Sequence, residues 1–416
     1  MKKKVLFIIG SLQSGGVSKS IVRLLNAWGT EKYDTSLLLC CKDGDVFSDY
    51  LPKNIQLIYS PVIEHVMGGF SSLKWLLAHG YFLLCLGVLL RLILSRISRP
   101  LASELIARMM PVVSNVHYDL IVDYGGQQLL YYMVNKLSAT KKVSFFHSDY
   151  SKWSFYYNAD KKYYPLVDHI FTISQTCVDS LKHFFPNCAD RVSIMENISS
   201  PTIIRQQSLE SIGEFKVQID QMKAAGNTIL CTIGHICRGK GFDFAIEASD
   251  ILKRNGINFK WLFIGKVLEE DLLKLIADNR LDDNILLIGV QRNPYPYIGF
   301  SDIVVHPSRF EGKSIALDEA KILCKPIVVT NFSTVGDQFE NGKNGTICEM
   351  SGKAVANAEI EIEYLNSNIK NSKFVGELQK DKTATVIYAD ENGYFSFVPV
   401  HKGYWGFAAL GAGGEL

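Results

Sequence analysis

The feature that most constrains the fold is a repeated alternation of short apolar runs with helix-patterned stretches. The first apolar run is VLFIIG at 5–10, and apolar residues recur at helical spacing in VSKSIVRLLNAW after it. Further short apolar runs are DTSLLLC at 34–40, YDLIVDY at 118–124, VSFFH at 143–147, DHIFTIS at 168–174 and RVSIMEN at 191–197. Strands separated by helices predict a parallel sheet with helices on both faces.

A second series of the same kind follows a polar, helix-favouring stretch after residue 200. Its predicted strands are TILCTIGH at 228–235, FKWLFIG at 259–265, NILLIG at 284–289, DIVVHP at 302–307 and PIVVT at 326–330. Because 416 residues exceed what one core usually serves, we predict two doubly wound, Rossmann-like domains in tandem, residues 1–200 and 201–352. Ligands of such sheets bind at the carboxyl ends of the strands, and we expect a cleft there.

The pattern changes at about residue 353. AEIEIEYL at 358–365 alternates apolar and charged residues, and TATVIYADENGYFSFVPV at 383–400 indicates two strands around a turn at Asn392-Gly393. An aromatic-rich strand, KGYWGFAAL, follows at 402–410. We therefore predict a small β-sandwich-like module at 353–416.

The composition bears on which partners and which cellular compartment the protein has. Forty-four basic and forty-two acidic residues leave a net charge of +2, too little to favour nucleic acid as a partner. The nine cysteines form no CxxC pair, which indicates reduced thiols in a cytoplasmic protein. The apolar run at the N-terminus is too short for a signal peptide and is interpreted as the first strand.

One segment could contact a membrane. WLLAHGYFLLCLGVLLRLIL, residues 75–94, is nearly uncharged as far as Arg91, and Arg96 and Arg99 follow it. Its length allows a spanning helix, but a span would divide the first domain. A helix on the membrane surface and buried domain helices are the alternatives, and the basic flank favours contact with anionic lipid.

Two glycine-containing loops could hold anions. GSLQSGG at 10–16 lies between the first strand and helix, where Gly15 and Gly16 would allow close approach of a ligand to a helix N-terminus. The loop is not GxGxxG, and a tight turn without a ligand is the alternative. GHICRGKGFD at 234–243 places three side chains, His235, Arg238 and Lys240, before a helix, which suits a diphosphate; a solvated basic loop is the alternative.

A third loop contributes carboxylates. In PSRFEGKSIALDEA at 307–320, Glu311 lies in the predicted loop and Glu319 in the following helix. Free amides at 312–315, which include Gly312, Lys313 and Ser314, would face the same ligand as Glu311. Ionised carboxylates accept hydrogen bonds from sugar and ribose hydroxyls. Paired carboxylates also serve glycoside hydrolysis, and Glu319 alone could be an exposed helix residue.

His147 ends the strand VSFFH, where a side chain would face the predicted cleft. A structural role is the alternative. The sequence has no His/Cys/Asp cluster at metal-ligand spacing, no GxSxG and no P-loop, so we expect neither a metal nor a cofactor.

Together, the glycine loop, the strand-end histidine, the basic KG loop, EGKSIALDE, KPIVVT and ENGKNG resemble the retaining GT-B glycosyltransferases of the large fourth family. The resemblance covers about residues 1–350 and is nearest to bacterial enzymes of capsule, exopolysaccharide and wall-glycan synthesis. It implies hexose transfer from a nucleotide sugar, such as a UDP sugar, to a glycan or lipid-linked acceptor. The implied contacts are Glu311 and His147 to the sugar, Glu319 to the ribose, Gly16 to the donor phosphates, and Arg238 and Lys240 to the diphosphate.

The chain departs from the family pattern at three places. His235 stands where the family usually has arginine, and Gly265-Lys266-Val267 replaces a glycine-acid-glycine turn. The C-terminal segment resembles the small β domain of nickel- and cobalt-uptake accessory proteins, which suggests a fusion that lacks the family's closing helices. Two hypotheses follow, an active transferase located in the cytoplasm or peripherally at the inner face of the membrane, and a catalytically impaired nucleotide-sugar-binding or assembly protein.

Overall fold

The computed structural model describes residues 2–350 and three strand segments at 359–365, 385–388 and 404–410. The chain divides into two compact units, residues 1–198 (unit 1) and 199–416 (unit 2). Each unit contains a parallel sheet with helices.

The sheet of unit 1 has the order β3-β2-β1-β4-β5-β6-β7, and its strands are all parallel. The strands are β1 Lys3–Ser11, β2 Tyr33–Cys41, β3 Gln56–Tyr59, β4 Tyr118–Asp123, β5 Ala139–Phe146, β6 His169–Thr172 and β7 Val192–Ile194. In β1, Leu6 and Ile8 pack into one core while Phe7 and Ile9 pack into a second core. Side chains therefore alternate between the two covered faces, which explains why central strands are apolar throughout.

The helices of unit 1 are α1 Gly16–Ala27, α2 Pro61–Met67, α3 Ser71–Ala78, α4 Phe82–Ile97, α5 Arg99–Met109, α6 Gln128–Lys136, α7 Tyr157–Tyr163 and α8 Gln175–Phe184. In α1 the buried positions Ile21, Leu24 and Leu25 recur at helical spacing, as the sequence predicts.

The sheet of unit 2 has the order β10-β9-β8-β11-β12-β13, again with parallel strands. The strands are β8 Thr228–Ile233, β9 Phe259–Ile264, β10 Ile285–Gly289, β11 Ile303–His306, β12 Ile327–Thr330 and β13 Thr346–Cys348. The helices are α9 Pro201–Gln207, α10 Glu214–Ala224, α11 Phe242–Arg254, α12 Asp271–Asp278, α13 Tyr295–Phe300 and α14 Ile315–Ile322. The predicted Rossmann-like fold is thus confirmed for both series.

The strand order identifies where ligands should bind. In unit 1 the order reverses between β1 and β4, and in unit 2 between β8 and β11. Loops that leave the carboxyl ends of two such strands diverge, which opens a crevice at the switch point. The loops after β1, β8 and β11 are the three that the sequence singles out.

The C-terminal strand segments are β14 Glu359–Leu365, β15 Thr385–Tyr388 and β16 Tyr404–Leu410, and they form an antiparallel sheet in the order β15-β14-β16. The predicted turn at Asn392-Gly393 lies outside the described residues. The β-sandwich-like module and the resemblance to metal-uptake accessory proteins stay predictions.

The apolar segment at 75–94 is divided between two helices. Helix α3 ends at Ala78, a turn passes through His79 and Gly80, and α4 begins at Phe82. Within the described part of the chain, no helix is long and apolar enough to cross a membrane. Cys85, Val88 and Arg91 are buried on one face of α4, whereas Leu83 and Leu86 are exposed, so the helix packs on unit 1 through one face only.

All nine cysteines are free thiols in the structure, and five of them are buried.

Candidate functional site

The loops after β8 and β11 are held against each other at the switch point of unit 2. The amide of Arg309 donates to the carbonyl of Gly239 at 3.1 Å. Gly241 has φ 70°, and a Cβ there would lie 1.7 Å from the Pro307 carbonyl oxygen. Only glycine combines this left-handed conformation with such close backbone approach. The contact brings Lys240 and Glu311, 71 residues apart in sequence, into one site.

Glu311 lies at the centre of that site. Its Oε1 atom accepts hydrogen bonds from Lys240 Nζ at 2.7 Å and from His306 Nε2 at 3.0 Å, and its side chain is 11% exposed. Burial acts to raise the pKa of Glu311, but the charge and hydrogen bonds of Lys240 and His306 outweigh it, and the net shift is strongly downward. Glu311 is therefore an ionised acceptor rather than a proton donor.

His306 was not predicted from the sequence. It ends strand β11 as the last residue of IVVH, just as His147 follows the strand that ends in SFF. A histidine at the carboxyl end of a parallel strand is the signal that could have identified it.

The loop that carries Glu311 is braced by two side chains from beyond β12. Thr334 Oγ1 donates to the Glu311 carbonyl at 2.9 Å. Gln338 accepts from the Ser314 amide at 2.8 Å and donates to the Ser314 carbonyl at 3.0 Å. The expectation of free amides at 312–315 is therefore wrong at Ser314. Gly312 is buried beside it, and Lys313 is half-buried.

Glu319 is fully buried in α14 and accepts a hydrogen bond from the Tyr295 hydroxyl at 3.0 Å. The alternative of an exposed helix residue is therefore wrong. The ribose contact of Glu319 stays a prediction, and a ribose would have to approach a carboxylate that already has a partner.

Arg238 lies in the same loop as Lys240 but has different partners. Its guanidinium contacts Glu269 at 2.8 Å and Asp271 at 2.6 Å. These hydrogen bonds, first that of Asp271 and then that of Glu269, raise the pKa of Arg238. Its charge is therefore already offset by two carboxylates. His235, at the start of the loop, is half-buried.

Arg309, which the sequence analysis did not select, pairs with Asp243 through two hydrogen bonds of 2.6 and 2.7 Å and lies over the ring of Phe244. Asp243 is in the first turn of α11, so this pair joins the loop after β11 to the helix after β8. Its role is to fix the two loops together.

Unit 1 presents a buried histidine near its own switch point. His147 follows β5, and its ring packs against Tyr124 at 4.5 Å between centroids. Burial lowers the pKa of His147 to about 4, although a hydrogen bond with the Tyr124 backbone opposes the shift. Among the residues that the structure describes, its Nε2 atom is one of the few buried polar atoms without a hydrogen-bond partner. The imidazole is neutral at pH 7 and can bind a hydroxyl.

The predicted glycine loop adjoins this histidine through Tyr124. Gly15 caps α1 and Gly16 is its first residue; both are exposed, and the first turn contains no acidic residue. Ser20 of α1 is 2.7 Å from the Tyr124 hydroxyl. The N-terminus of α1, Tyr124 and His147 therefore belong to one arrangement, and the helix terminus favours an anion.

The loop after β4 is a part of the site that the sequence analysis missed. Buried Asp123 accepts from the amides of Gly125 and Gly126, each at 3.0 Å, and from Ser144 at 2.7 Å. Burial raises the pKa of Asp123 to about 6 against these hydrogen bonds. Gln127 follows with φ 44°, and its Nε2 atom is buried without a partner in the described structure. A strained polar residue at a switch point indicates a ligand-facing position.

The structure thus joins Lys240 and Glu311 in unit 2, and it joins the glycine loop to His147 in unit 1. In the described ranges, no group of three or more His, Cys, Asp or Glu side chains could hold a metal ion.

The fold of the two units resembles that of GT-B glycosyltransferases, and comparison with known proteins supports the same class. Residues 216–380 match the family model described as "Glycosyl transferases group 1". This match covers the switch-point loops of unit 2, including Lys240 and Glu311. The match covers less than half of the chain and shows similarity to group 1 glycosyltransferases over that part.

Among relatives, an N-acetylgalactosamine-N,N'-diacetylbacillosaminyl-diphospho-undecaprenol 4-alpha-N-acetylgalactosaminyltransferase of Campylobacter jejuni is 27% identical over 46% of this chain and 49% of its own length. An amylovoran biosynthesis glycosyltransferase of Erwinia amylovora is 32% identical over 32% of this chain and 34% of its own. The chain thus matches half or less of the length of these relatives.

A solved structure of Anabaena HepE in complex with UDP and glucose superposes with a TM-score of 0.59 at 16% identity, covering 83% of this chain and 86% of that one. At this identity the likeness concerns the fold alone.

Proposed function

We propose that this protein is a retaining glycosyltransferase that moves a hexose from a nucleotide sugar to a glycan or lipid-linked glycan in bacterial polysaccharide synthesis. The observation that carries the proposal is the Lys240–Glu311 pair at the switch point of unit 2, with Nζ and Oε1 2.7 Å apart. A cation for a phosphate and an ionised acceptor for sugar hydroxyls are thereby placed side by side.

The names of the similar proteins support the proposed kind of acceptor and the proposed nucleotide of the donor. The Campylobacter relative is named for a diphospho-undecaprenol acceptor, the Erwinia relative for amylovoran biosynthesis, and the Anabaena structure contains UDP and glucose. We therefore place a UDP sugar first among the donors and a lipid-linked glycan first among the acceptors. We also propose a cytoplasmic location, peripheral at the inner face of the membrane.

In the proposed reaction, the bond between the anomeric carbon and the diphosphate oxygen breaks as the acceptor hydroxyl forms a new bond on the same face. The proton of that hydroxyl passes to the departing phosphate oxygen. Lys240 stabilises the charge that develops on the leaving diphosphate, and Arg238 would do so after exchanging its carboxylate partners. Engagement of Lys240 by phosphate would leave Glu311 to accept hydrogen bonds from the sugar.

The test is a screen of UDP-glucose, UDP-GlcNAc and GDP-mannose for binding and for transfer or donor hydrolysis. The substitution Glu311→Gln keeps the shape of the side chain but removes its charge. We expect the rate of transfer to fall about 100-fold or more, because the interaction is with the sugar as positive charge develops on it. Urea unfolding of the variant controls for a folding defect. Wild-type turnover by Glu311→Gln, or no binding of any nucleotide sugar, would contradict the proposal.

One observation favours a second candidate, a protein that binds nucleotide sugars with impaired turnover. The carboxylates of Glu269 and Asp271 offset the charge of Arg238, which could otherwise stabilise a leaving diphosphate. Donor binding without transfer or hydrolysis in the same screen would support this candidate over the first.

A further inference from the structure

An apolar stripe runs along the exposed face of α4. Its members, each at least 50% exposed, are Leu83, Leu86, Leu90, Ile93 and Ile97. Spacings of three and four residues place them on one side of the helix. The opposite side carries the buried residues Cys85, Val88 and Arg91, which attach α4 to unit 1. The stripe therefore faces outward from unit 1 because its own helix is fixed by the other side.

The stripe is long but not long enough to span a bilayer. Sixteen helical residues extend about 24 Å, and α4 ends at Ile97 before a second helix begins. An anchored helix with a continuous apolar face and a polar end fits a position in the plane of a membrane interface.

A cavity of about 890 Å³ opens at the C-terminal end of the stripe, and Ile97 and Leu101 belong both to its lining and to the exposed apolar surface. The lining also contains three cationic side chains, Arg96, Arg99 and Lys162. The Arg99 guanidinium lies 5.0 Å from the centroid of the Phe155 ring, which forms another part of the wall. Apolar surface thus continues directly into a basic pocket.

The charge of this pocket is predominantly positive. Glu104 is the carboxylate in its lining, and it pairs with Lys162 at 2.8 Å. Arg96 and Arg99 are both exposed. Two cations thus exceed what Glu104 offsets, and they adjoin an apolar stripe that would lie just below the lipid headgroups.

We propose that the α4 stripe inserts into the surface of a bilayer and that the pocket formed by Arg96, Arg99 and Lys162 binds the phosphate of an anionic lipid. The occupant is the membrane itself, identified by the combination of apolar stripe and adjoining cations. The inference rests on the peripheral membrane location in the proposed function and makes it specific. It does not depend on the donor site of unit 2.

The test is flotation of the full chain with vesicles of phosphatidylcholine alone and of phosphatidylcholine mixed with phosphatidylglycerol. We expect binding to the mixed vesicles to exceed that to phosphatidylcholine. The double variant Arg96→Gln, Arg99→Gln should lose about 30-fold in affinity for the mixed vesicles. The double variant Leu86→Gln, Ile93→Gln should lose at least about 10-fold on both kinds of vesicle.

Control variants change exposed cations and exposed apolar side chains elsewhere on unit 1. Lys32→Gln with Lys182→Gln removes two exposed cations, and Leu57→Gln with Leu166→Gln changes two exposed leucines. Both should bind vesicles as the wild type does. Urea unfolding checks that every variant is folded. The arginine variant changes only exposed side chains, so it still tests the proposal if the stripe variant unfolds.

Equal binding to both vesicle types by the wild type, no binding to either, or equal losses in the control variants would overturn the proposal. Binding of inorganic phosphate without vesicles, abolished by Arg96→Gln and Arg99→Gln, would instead assign the pocket to free phosphate. UDP-sugar binding is measured on the same samples. Intact donor binding with no vesicle binding would refute the lipid site alone, and the reverse result would refute the donor site alone.

Discussion

The two switch points share a strand order, but different effects control the pKa values of their buried side chains. In unit 1, burial dominates, so that His147 is held neutral and the pKa of Asp123 is raised to about 6. In unit 2, Glu311 is also nearly buried, yet Lys240 and His306 reverse the effect of burial and hold it ionised. The comparison shows that the partners which a loop supplies, rather than the fold, decide whether burial controls the pKa of a strand-end side chain.

The largest expected effect comes from separating the two loops of unit 2. Gly241→Ala would place a Cβ 1.7 Å from the Pro307 carbonyl, so the loops must move apart. We expect a loss of more than about 4 kcal/mol in the free energy of unfolding, from steric overlap and left-handed backbone strain together. Urea unfolding measures it.

Gly256→Ala is the matched control for that change. Gly256 has the same φ of 70°, but a Cβ there would meet nothing within 4 Å. Backbone strain alone should lower the free energy of unfolding by about 1 kcal/mol. Equal losses in the two variants would show that the contact between the loops does not hold the charged site together.

The neutral state of His147 can be tested by varying the pH. Because the folded pKa of His147 is about 4, below its ordinary value of 6.5, the unfolded chain binds the proton more readily. Stability associated with His147 is therefore complete above pH 6.5 and is lost as the pH falls toward 4, by about 3 kcal/mol. His147→Gln should remove this loss, seen as a smaller difference in urea stability between pH 7 and pH 4.

Asp123, in the same unit, contributes a pH dependence of stability that is opposite to that of His147. Its folded pKa of about 6 lies above the ordinary value of 3.8, so its contribution is present below pH 3.8 and is lost as the pH rises through 6. The His147→Gln comparison must therefore be made against wild type at each pH, which cancels the contribution of Asp123. An unchanged pH profile in His147→Gln would show that the histidine is not held neutral.

A smaller effect should follow removal of the cation in unit 2. Lys240→Met leaves the nearly buried Glu311 without its cationic partner, and we expect a loss of about 2 kcal/mol in the free energy of unfolding, below the value for fully buried pairs because Lys240 is 33% exposed. The affinity for nucleotide sugar should fall as well. The control Lys223→Met breaks the exposed pair with Asp302 and should lower the free energy of unfolding by less than about 1 kcal/mol. Similar losses in the two variants would contradict the view that Lys240 maintains the charge of Glu311.

The smallest expected effect is that of metal removal. The proposed reaction assigns the stabilisation of the leaving diphosphate to protein cations, so transfer measured with and without EDTA should proceed at the same rate. A rate that falls with EDTA and recovers with added divalent metal would mean that unit 2 does not supply enough charge by itself.

Much of the fold was predictable because central parallel strands are buried on both faces and appear as uninterrupted apolar runs. The run at 5–10 lies within strand β1, and the runs at 228–235 and 302–307 contain strands β8 and β11. The edge strands β3 and β13 were missed, since a short strand with one neighbour needs little apolar sequence. The loops that carry Lys240 and Glu311 were found because glycine and charge occur together after a strand.

The partners of the site residues were less predictable, because they come from distant parts of the chain. Tyr295 reaches Glu319 across 24 residues, and Gln338 reaches the Ser314 amide across 24. Neither pairing leaves a periodic signal in the sequence. The expectation of free amides failed for this reason.

The ion pairs of Arg238 have a consequence for selectivity among cellular anions. A phosphate that approaches this arginine must replace Glu269 and Asp271. Its binding free energy therefore reflects only the difference between the new contacts and the two that are lost. Singly charged metabolites would gain little by the exchange, whereas a multiply charged diphosphate could complete it. The loop would therefore stay unoccupied among abundant weak anions and respond chiefly to the donor.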